Sequence, residues 1–191
     1  VGVGGSIGPW LAVGFAADDD GRIPFSNGAL TFVEGGSGLL GLGVDGLADG
    51  SVDVEGIAVV GVDVVAPIDH PNGAFELDHL VIMTDSLERT SGAVEEALGL
   101  EQRRVREAGD VRQAFHRFPD RGCIVEIVER SDVTRVGLWG LVVNVVDLDA
   151  AVAGHGPDVI GAPKAAVQPG RRIATFRSGA GLGVPTALMS T

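Results

Sequence analysis

An internal repeat at a fixed offset of 61 residues constrains this chain more than any other feature. Leu77-Asp78-His79-Leu80-Val81-Ile82 matches Leu138-Trp139-Gly140-Leu141-Val142-Val143. The same offset aligns Ser86-Leu87-Glu88 with Asp147-Leu148-Asp149, and Ala114-Phe115-His116 with Thr175-Phe176-Arg177. It still holds between Gly122-Cys123-Ile124-Val125-Glu126-Ile127-Val128 and Gly183-Val184-Pro185-Thr186-Ala187-Leu188-Met189. An offset that stays constant over so long a stretch means two copies of one structural unit.

Local signals define the unit. Residues 77–83 are short, apolar and rich in strand formers. Asp85 or Ser86 then offers a helix N-cap, with Glu88 and Arg89 following. Leu87, Val94 and Leu98 share one helical face, and Gly99 is a natural stop. Residues 101–107 and 111–118 read as strands, Pro119-Asp120-Arg121-Gly122 as a turn, and 123–129 as a closing strand. The order is β-α-β-β-β. In the second copy the helix is shorter, 148–153, because His155-Gly156-Pro157 breaks it. Residues 159–160, 172–177 and 184–189 supply its strands, the last made irregular by Pro185. The modules are thus 76–130 and 137–191, within a domain spanning 73–191.

Residues 1–72 are β-rich and lack a clear helix. Gly28-Ala29-Leu30-Thr31-Phe32-Val33-Glu34 resembles a closing strand, and 38–44 resembles the opening of another unit. Residues 52–65 read as further strands. We read 1–72 as a degenerate module pair that completes a sheet or covers a face. Residues 67–72, Pro-Ile-Asp-His-Pro-Asn, read as the linker.

Charge narrows the function classes. The net charge of −12 argues against nucleic-acid or anionic-membrane binding. The charge is uneven: residues 1–100 hold 16 acids against Arg22 and Arg89, whereas 101–191 hold 10 acids and 12 bases. The C-terminal half can therefore host an anionic small molecule. Cys123 is the only cysteine, so no internal disulfide forms, which fits a reducing cytoplasm. The most apolar stretch, 57–68, contains Asp63 and is shorter than the roughly 18 residues of a membrane helix. Gly2-Val3-Gly4-Gly5 and Gly35-Gly36-Ser37-Gly38 lack the spacing of a dinucleotide site.

Leu77-Asp78-His79-Leu80-Val81-Ile82, Val125-Glu126-Ile127-Val128-Glu129 and the segment 138–151 together resemble the vicinal-oxygen-chelate (glyoxalase/bleomycin-resistance/extradiol dioxygenase) superfamily. The resemblance covers about residues 76–190. It implies an α+β fold in which paired βαβββ modules form an eight-stranded, cup-shaped sheet, here preceded by the degenerate β-rich region. In that superfamily the opening and closing strands of each module supply His or Glu metal ligands. The metal holds vicinal oxygens of the substrate. His79 and Glu126 match as ligands, with Glu126 also the catalytic candidate. The second copy has Gly140 and Ala187 instead, and neither binds a metal. The resemblance therefore implies either one divalent ion (Zn, Ni, Fe or Mn) or none. It also implies a small-molecule ligand and a homodimer, since members pair modules across subunits.

The residues make part of this case alone. Alternation puts Glu126 with Ile124 and Val128, and His79 with Leu77, Val81 and Met83. A carboxylate and an imidazole on apolar faces are costly unless paired with each other, a ligand or a metal. His116 and Arg177 occupy matching places in the repeat and are either exposed polar groups or contacts to a ligand, Arg177 being the better anion partner. Trp139, beside the lost ligand position, is core or a stacking wall. Arg103, Arg104 and Arg106 read as a solvated strand. Three functions follow: a glyoxalase-like binder that sequesters a small, partly apolar or anionic molecule; a metal-dependent lyase, isomerase or dioxygenase drawing further ligands from elsewhere; or a structural protein with a relict pocket.

Overall fold

The computed structural model describes residues 1–47, 50–120 and 122–191. The first copy of the repeat comprises β7 (Ala74–Thr84), α2 (Leu87–Leu98), β8 (Gln102–Ala108), β9 (Val111–Arg117) and β10 (Ile124–Glu129). The second comprises β11 (Gly137–Val145), α3 (Leu148–Ala153), β12 (Lys164–Ala165), β13 (Arg172–Thr175) and β14 (Thr186–Ser190). All eight strands form one sheet in the order β12-β13-β14-β11-β7-β10-β9-β8. The two opening strands, β7 and β11, pair antiparallel at its centre, and each closing strand runs parallel to its own opener.

The helix signals act where the sequence places them. Ser86 caps α2 by accepting from the Arg89 N–H, and Gly99 ends the helix at φ 66°. Leu87, Thr90, Ser91 and Val94 form its buried face. Asp147 caps α3, which stops after six residues. Residues 159–160 make only an isolated bridge, Ile160 to Phe176, and the outer strand forms later, at β12. β14 begins after Pro185, whose nitrogen cannot donate to a ladder. In the expected turn at 119–122, Arg121 lies outside the described residues.

The N-terminal residues build a sheet of their own rather than an extension of the first. It comprises β1 (Gly2–Gly4), β2 (Ile23–Phe25), β3 (Gly28–Val33), β4 (Gly38–Val44), β5 (Ser51–Val54) and β6 (Ile57–Gly61), with α1 (Gly8–Ala12) after β1. Its order is β2-β3-β1-β4-β6-β5. β3 is parallel to β1, β4 antiparallel to β1, and β6 parallel to β4. This is the wiring of the larger sheet with the outermost strand of each half removed. It is the topology of a truncated module pair.

Both sheets share one hydrophobic core. Trp10 of α1 and Ile23, Phe25 and Leu30 of the small sheet belong to the same buried cluster as Ile82, Leu87, Ile127, Leu141 and Leu188. Each such side chain contributes roughly 1.5–3 kcal/mol. The amide of Asn27 fastens the sheets together, donating to the Leu77 carbonyl and accepting from the Leu77 N–H, both at 2.9 Å. Residues 67–72, expected to be a linker, are docked: the Asn72 amide donates to the Val13 carbonyl at 3.1 Å. His70 accepts from the Ala16 N–H at 3.0 Å through Nδ1 and meets the Pro24 carbonyl at 2.7 Å through Nε2. No helix among the described residues is long and apolar enough to cross a membrane.

Candidate functional site

The opposite face of the eight-stranded sheet is the cup. The register carries His79 beside Ile124, Val81 beside Glu126, and Glu126 beside Phe115. Arg117 lies beside Ile124, and Arg104 and Arg106 beside Phe115 and Gln113. Alternation therefore puts His79, Glu126, Phe115, Arg117, Arg104 and Arg106 on one face. On the second module the same face carries a small apolar cluster of Val142, Ala187 and Met189.

Leu77 does not join that face, contrary to expectation. Leu77 pairs with Val143 and His79 with Val142, so Asp78 is an extra residue in a β-bulge. The bulge sends Leu77 into the main core, while His79 points into the cup. A second bulge at Trp139 lies between the pairs of Leu138 and Gly140. Asp78 and Trp139 hold matching places, each just before its module's ligand position. Trp139 is 52% exposed and not part of the core.

His79 and Glu126 come together, with Nε2 of His79 3.4 Å from Oε2 of Glu126. They belong to a polar chain across the cup. His79 Nδ1 donates to Asp78 Oδ2 at 2.7 Å, and Arg171 Nη1 donates to Asp78 Oδ1 at 2.8 Å. The Gln113 amide donates to Glu126, and Arg106 donates to Gln113 Oε1 at 3.0 Å. Burial pushes the Asp78 carboxyl up, but hydrogen bonds from His79 and Arg171 outweigh it and leave the group at about 2, below the ordinary 3.8. A depressed carboxyl adds stability above its unfolded pKa and loses it as pH falls through the folded one. Asp78 is expected to contribute about 2 kcal/mol at neutral pH, lost between about pH 4 and pH 2. Denaturant unfolding of wild type and Asp78→Asn across that window checks this; identical pH profiles for the two would contradict it.

A cavity of about 960 Å³ lies beside the pair, toward β8. Arg103, Arg104, Arg106 and Arg117 line it with Phe115, Phe118 and Ile124; Glu101 and Asp120 also line it, and Val167, Gln168 and Pro169 of the second module complete its wall. Arg103 and Arg104 are exposed, as expected of a solvated strand, but sequence reasoning missed that the arginines of β8 also line this cavity. The available signal was their period-two spacing, 104 and 106, in register with Phe115 and Gln113. Arg171 was missed as well.

His116 and Arg177 are not equivalent. In the ladders Phe115 faces Glu126 while Thr175 faces Ala187, an offset of 60 rather than 61. His116 therefore corresponds to Phe176, and Arg177 to Arg117. His116 is fully buried toward the helix side, and it is also among the residues that line the cavity. Its Nδ1 donates to the Leu100 carbonyl at 2.7 Å, and its Nε2 meets Ser91 Oγ at 2.8 Å. Arg177 is exposed, beyond the end of β13.

The donors test a divalent metal. Two ligands bound at about 2.1 Å and a tetrahedral angle would stand about 3.4 Å apart, so the His79–Glu126 separation is suitable. Their number is not, because a catalytic ion usually wants three protein ligands. Among the described residues no group of three or more His, Cys, Asp or Glu is arranged to hold an ion. The second module cannot supply one at Gly140: a Cβ there would lie 2.6 Å from the Pro185 carbonyl oxygen. Gly41, in the matching place of the small sheet, meets Ala58 in the same way at 2.7 Å. The chain's own residues do not complete a metal site.

No family model matches the chain, and no curated protein matches it in sequence. Solved structures do. A methylmalonyl-CoA epimerase from Mycobacterium tuberculosis superposes with a TM-score of 0.53 at 16% identity, covering 66% of this chain and 92% of that one. The likeness is one of fold, of the vicinal-oxygen-chelate type. A hypothetical protein from Bacillus halodurans gives a TM-score of 0.50 at 14% identity, covering 61% and 94%. Each overlap takes in nearly all of the other chain, so about a third of this one lies outside it.

Proposed function

We propose that this is a glyoxalase-like protein that holds a small, partly apolar, anionic molecule in the cup, with His79 and Glu126 beside it and no self-contained divalent site. The observation that carries the reading is the convergence of Arg104, Arg106 and Arg117 with Phe115 and Ile124 around one cavity, on the face that bears His79 and Glu126. Guanidinium groups bind carboxylates and phosphates in bidentate fashion, and the aromatic and aliphatic walls take an apolar body. A charge-assisted hydrogen bond contributes about 1.5–3 kcal/mol, so each arginine is worth tenfold or more in affinity.

The test is a calorimetric and thermal-shift screen of carboxylates, phosphates and acyl thioesters. Methylmalonyl-CoA is a fitting first thioester, given the name of the Mycobacterium tuberculosis protein. Binding is expected for at least one anionic class, weakened about tenfold or more in Arg104→Ala and again in Arg106→Ala. Binders indifferent to both substitutions, or none in the screen, would overturn the reading.

One observation favours a second reading, a metal-dependent lyase, isomerase or dioxygenase. Asp78 orients the His79 ring through Nδ1, as carboxylates behind metal-binding histidines do. The remaining donors would then come from a second copy of the chain. Stoichiometric Zn, Ni, Fe or Mn in purified protein, lost in both His79→Ala and Glu126→Ala, would favour it over the first.

A further inference from the structure

We propose that Arg171 is a positioning residue for the cup: it holds Asp78 so that the carboxylate fixes the His79 proton on Nδ1 and leaves Nε2 facing Glu126. The proposal rests on the reading that His79 meets a ligand, but its test needs no ligand.

Arg171 stands just ahead of β13 in the second module, 93 residues from Asp78 in sequence. Its guanidinium is held on three sides. Nε donates to the Ser190 carbonyl at 2.7 Å, Nη1 to Asp78 Oδ1 at 2.8 Å, and Nη2 to the Asn144 amide oxygen. Asn144 is anchored in turn, donating to Glu76 Oε2 at 2.7 Å. The fork is thus fixed by β14 and β11 before it reaches Asp78. With Oδ1 taken by Arg171, Asp78 presents Oδ2 to His79 Nδ1 at 2.7 Å.

An ionised carboxylate only accepts hydrogen bonds. Asp78 receives the Arg171 guanidinium at Oδ1 and His79 Nδ1 at Oδ2, the arrangement of a carboxylate accepting two hydrogen bonds. Nδ1 therefore carries a proton whether the ring is neutral or cationic. Nε2 is left 3.4 Å from Glu126 Oε2. That gap exceeds an ordinary hydrogen bond, so the Nε2 site can be turned toward a ligand. The second module holds Trp139 where the first holds Asp78, so this clamp exists on one side of the cup only. Val167, Gln168 and Pro169, shortly before Arg171 in sequence, line the cavity, so the clamp adjoins a segment of its wall.

The test is isotope-edited NMR of the imidazole nitrogens in the full chain at neutral pH. Wild type is expected to show His79 protonated at Nδ1. In Asp78→Asn, Arg171 still donates, so the amide oxygen must turn to Arg171 and its NH₂ to His79. Nδ1 then has to accept, and the neutral ring inverts to the Nε2–H form. Adding Arg171→Met removes the reason for that orientation, and a mixture of tautomers is expected. Arg171→Lys keeps the charge without the fork and should fall between. Retention of Nδ1–H in Asp78→Asn, or an inversion untouched by Arg171→Met, would overturn the proposal. If that double variant does not fold, Arg171→Lys in the Asp78→Asn background decides: an inversion as complete as in Asp78→Asn alone refutes the role, and a mixture of tautomers supports it. If the tautomer inverts while the anion screen finds nothing, only the binding reading falls.

Discussion

Replacing Gly140 with histidine is expected to destabilise the protein by about 3 kcal/mol and to recruit no metal ion. On paper the change restores the donor that the second module lacks. In the structure its Cβ would sit 2.6 Å from the Pro185 carbonyl oxygen and 3.1 Å from Pro185 Cβ. The strand cannot easily yield. The Leu141 N–H donates to that same carbonyl at 3.0 Å, the first rung between β11 and β14, and the proline ring restricts the backbone behind it. Gly140→Ala should cost about 2 kcal/mol for the same reason, without new polar chemistry. Chemical denaturation of both variants, with metal analysis of the histidine variant, checks the pair. A neutral Gly140→Ala would mean that the strands part more readily than described. A stable Gly140→His that carried zinc would mean that the cup can be re-armed.

Replacing His116 with leucine is expected to cost about 3 kcal/mol while leaving ligand affinity within about twofold of wild type. His116 is entirely shielded from water, and both its nitrogens have partners. One ties β9 to the Leu100 carbonyl at the end of α2, and the other ties it to Ser91 within that helix. Leucine fills the space but leaves the buried Leu100 carbonyl without this partner, while Ser91 keeps only its bond to Gln102. Unsatisfied buried groups of this kind cost about 1–3 kcal/mol each. Denaturation midpoints and the anion titrations separate the two roles. Unchanged stability with lost binding would return His116 to the cup.

Much of this architecture was legible because the repeat survives where packing is most demanding. The opening strands, the helix with its Ser86 cap and Gly99 stop, and the closing strands all carry short apolar runs at fixed spacing. The meeting of His79 with Glu126, 3.4 Å apart, was among the options left by the resemblance and by their apolar faces. Three features were not legible, each for a physical reason. A bulge adds a residue without changing composition, so Leu77 looked like a neighbour of His79 when Asp78 sends it to the core. The phenylalanine shared by Ala114-Phe115-His116 and Thr175-Phe176-Arg177 drew the two stretches into alignment. Phe115 nevertheless faces the cup while Phe176 is in the core, because the second module has one more residue between its last two strands. The arginines of β8 and the clamp at Arg171 depend on which strands lie side by side, and a local pattern holds no such information. The small sheet was half legible. β3 and β4 resemble module strands, whereas β1 and β2 are three residues each and too short to read.

The central claim is that a single armed module faces an arginine-lined cavity. The most direct measurement follows the His79 ring nitrogens by NMR while the best anionic ligand from the screen is titrated into the full chain. The account predicts a saturable change at Nε2, with an affinity that drops about tenfold or more in Arg104→Ala. A ligand that saturates the protein without moving His79, or that binds Arg104→Ala equally well, would contradict it.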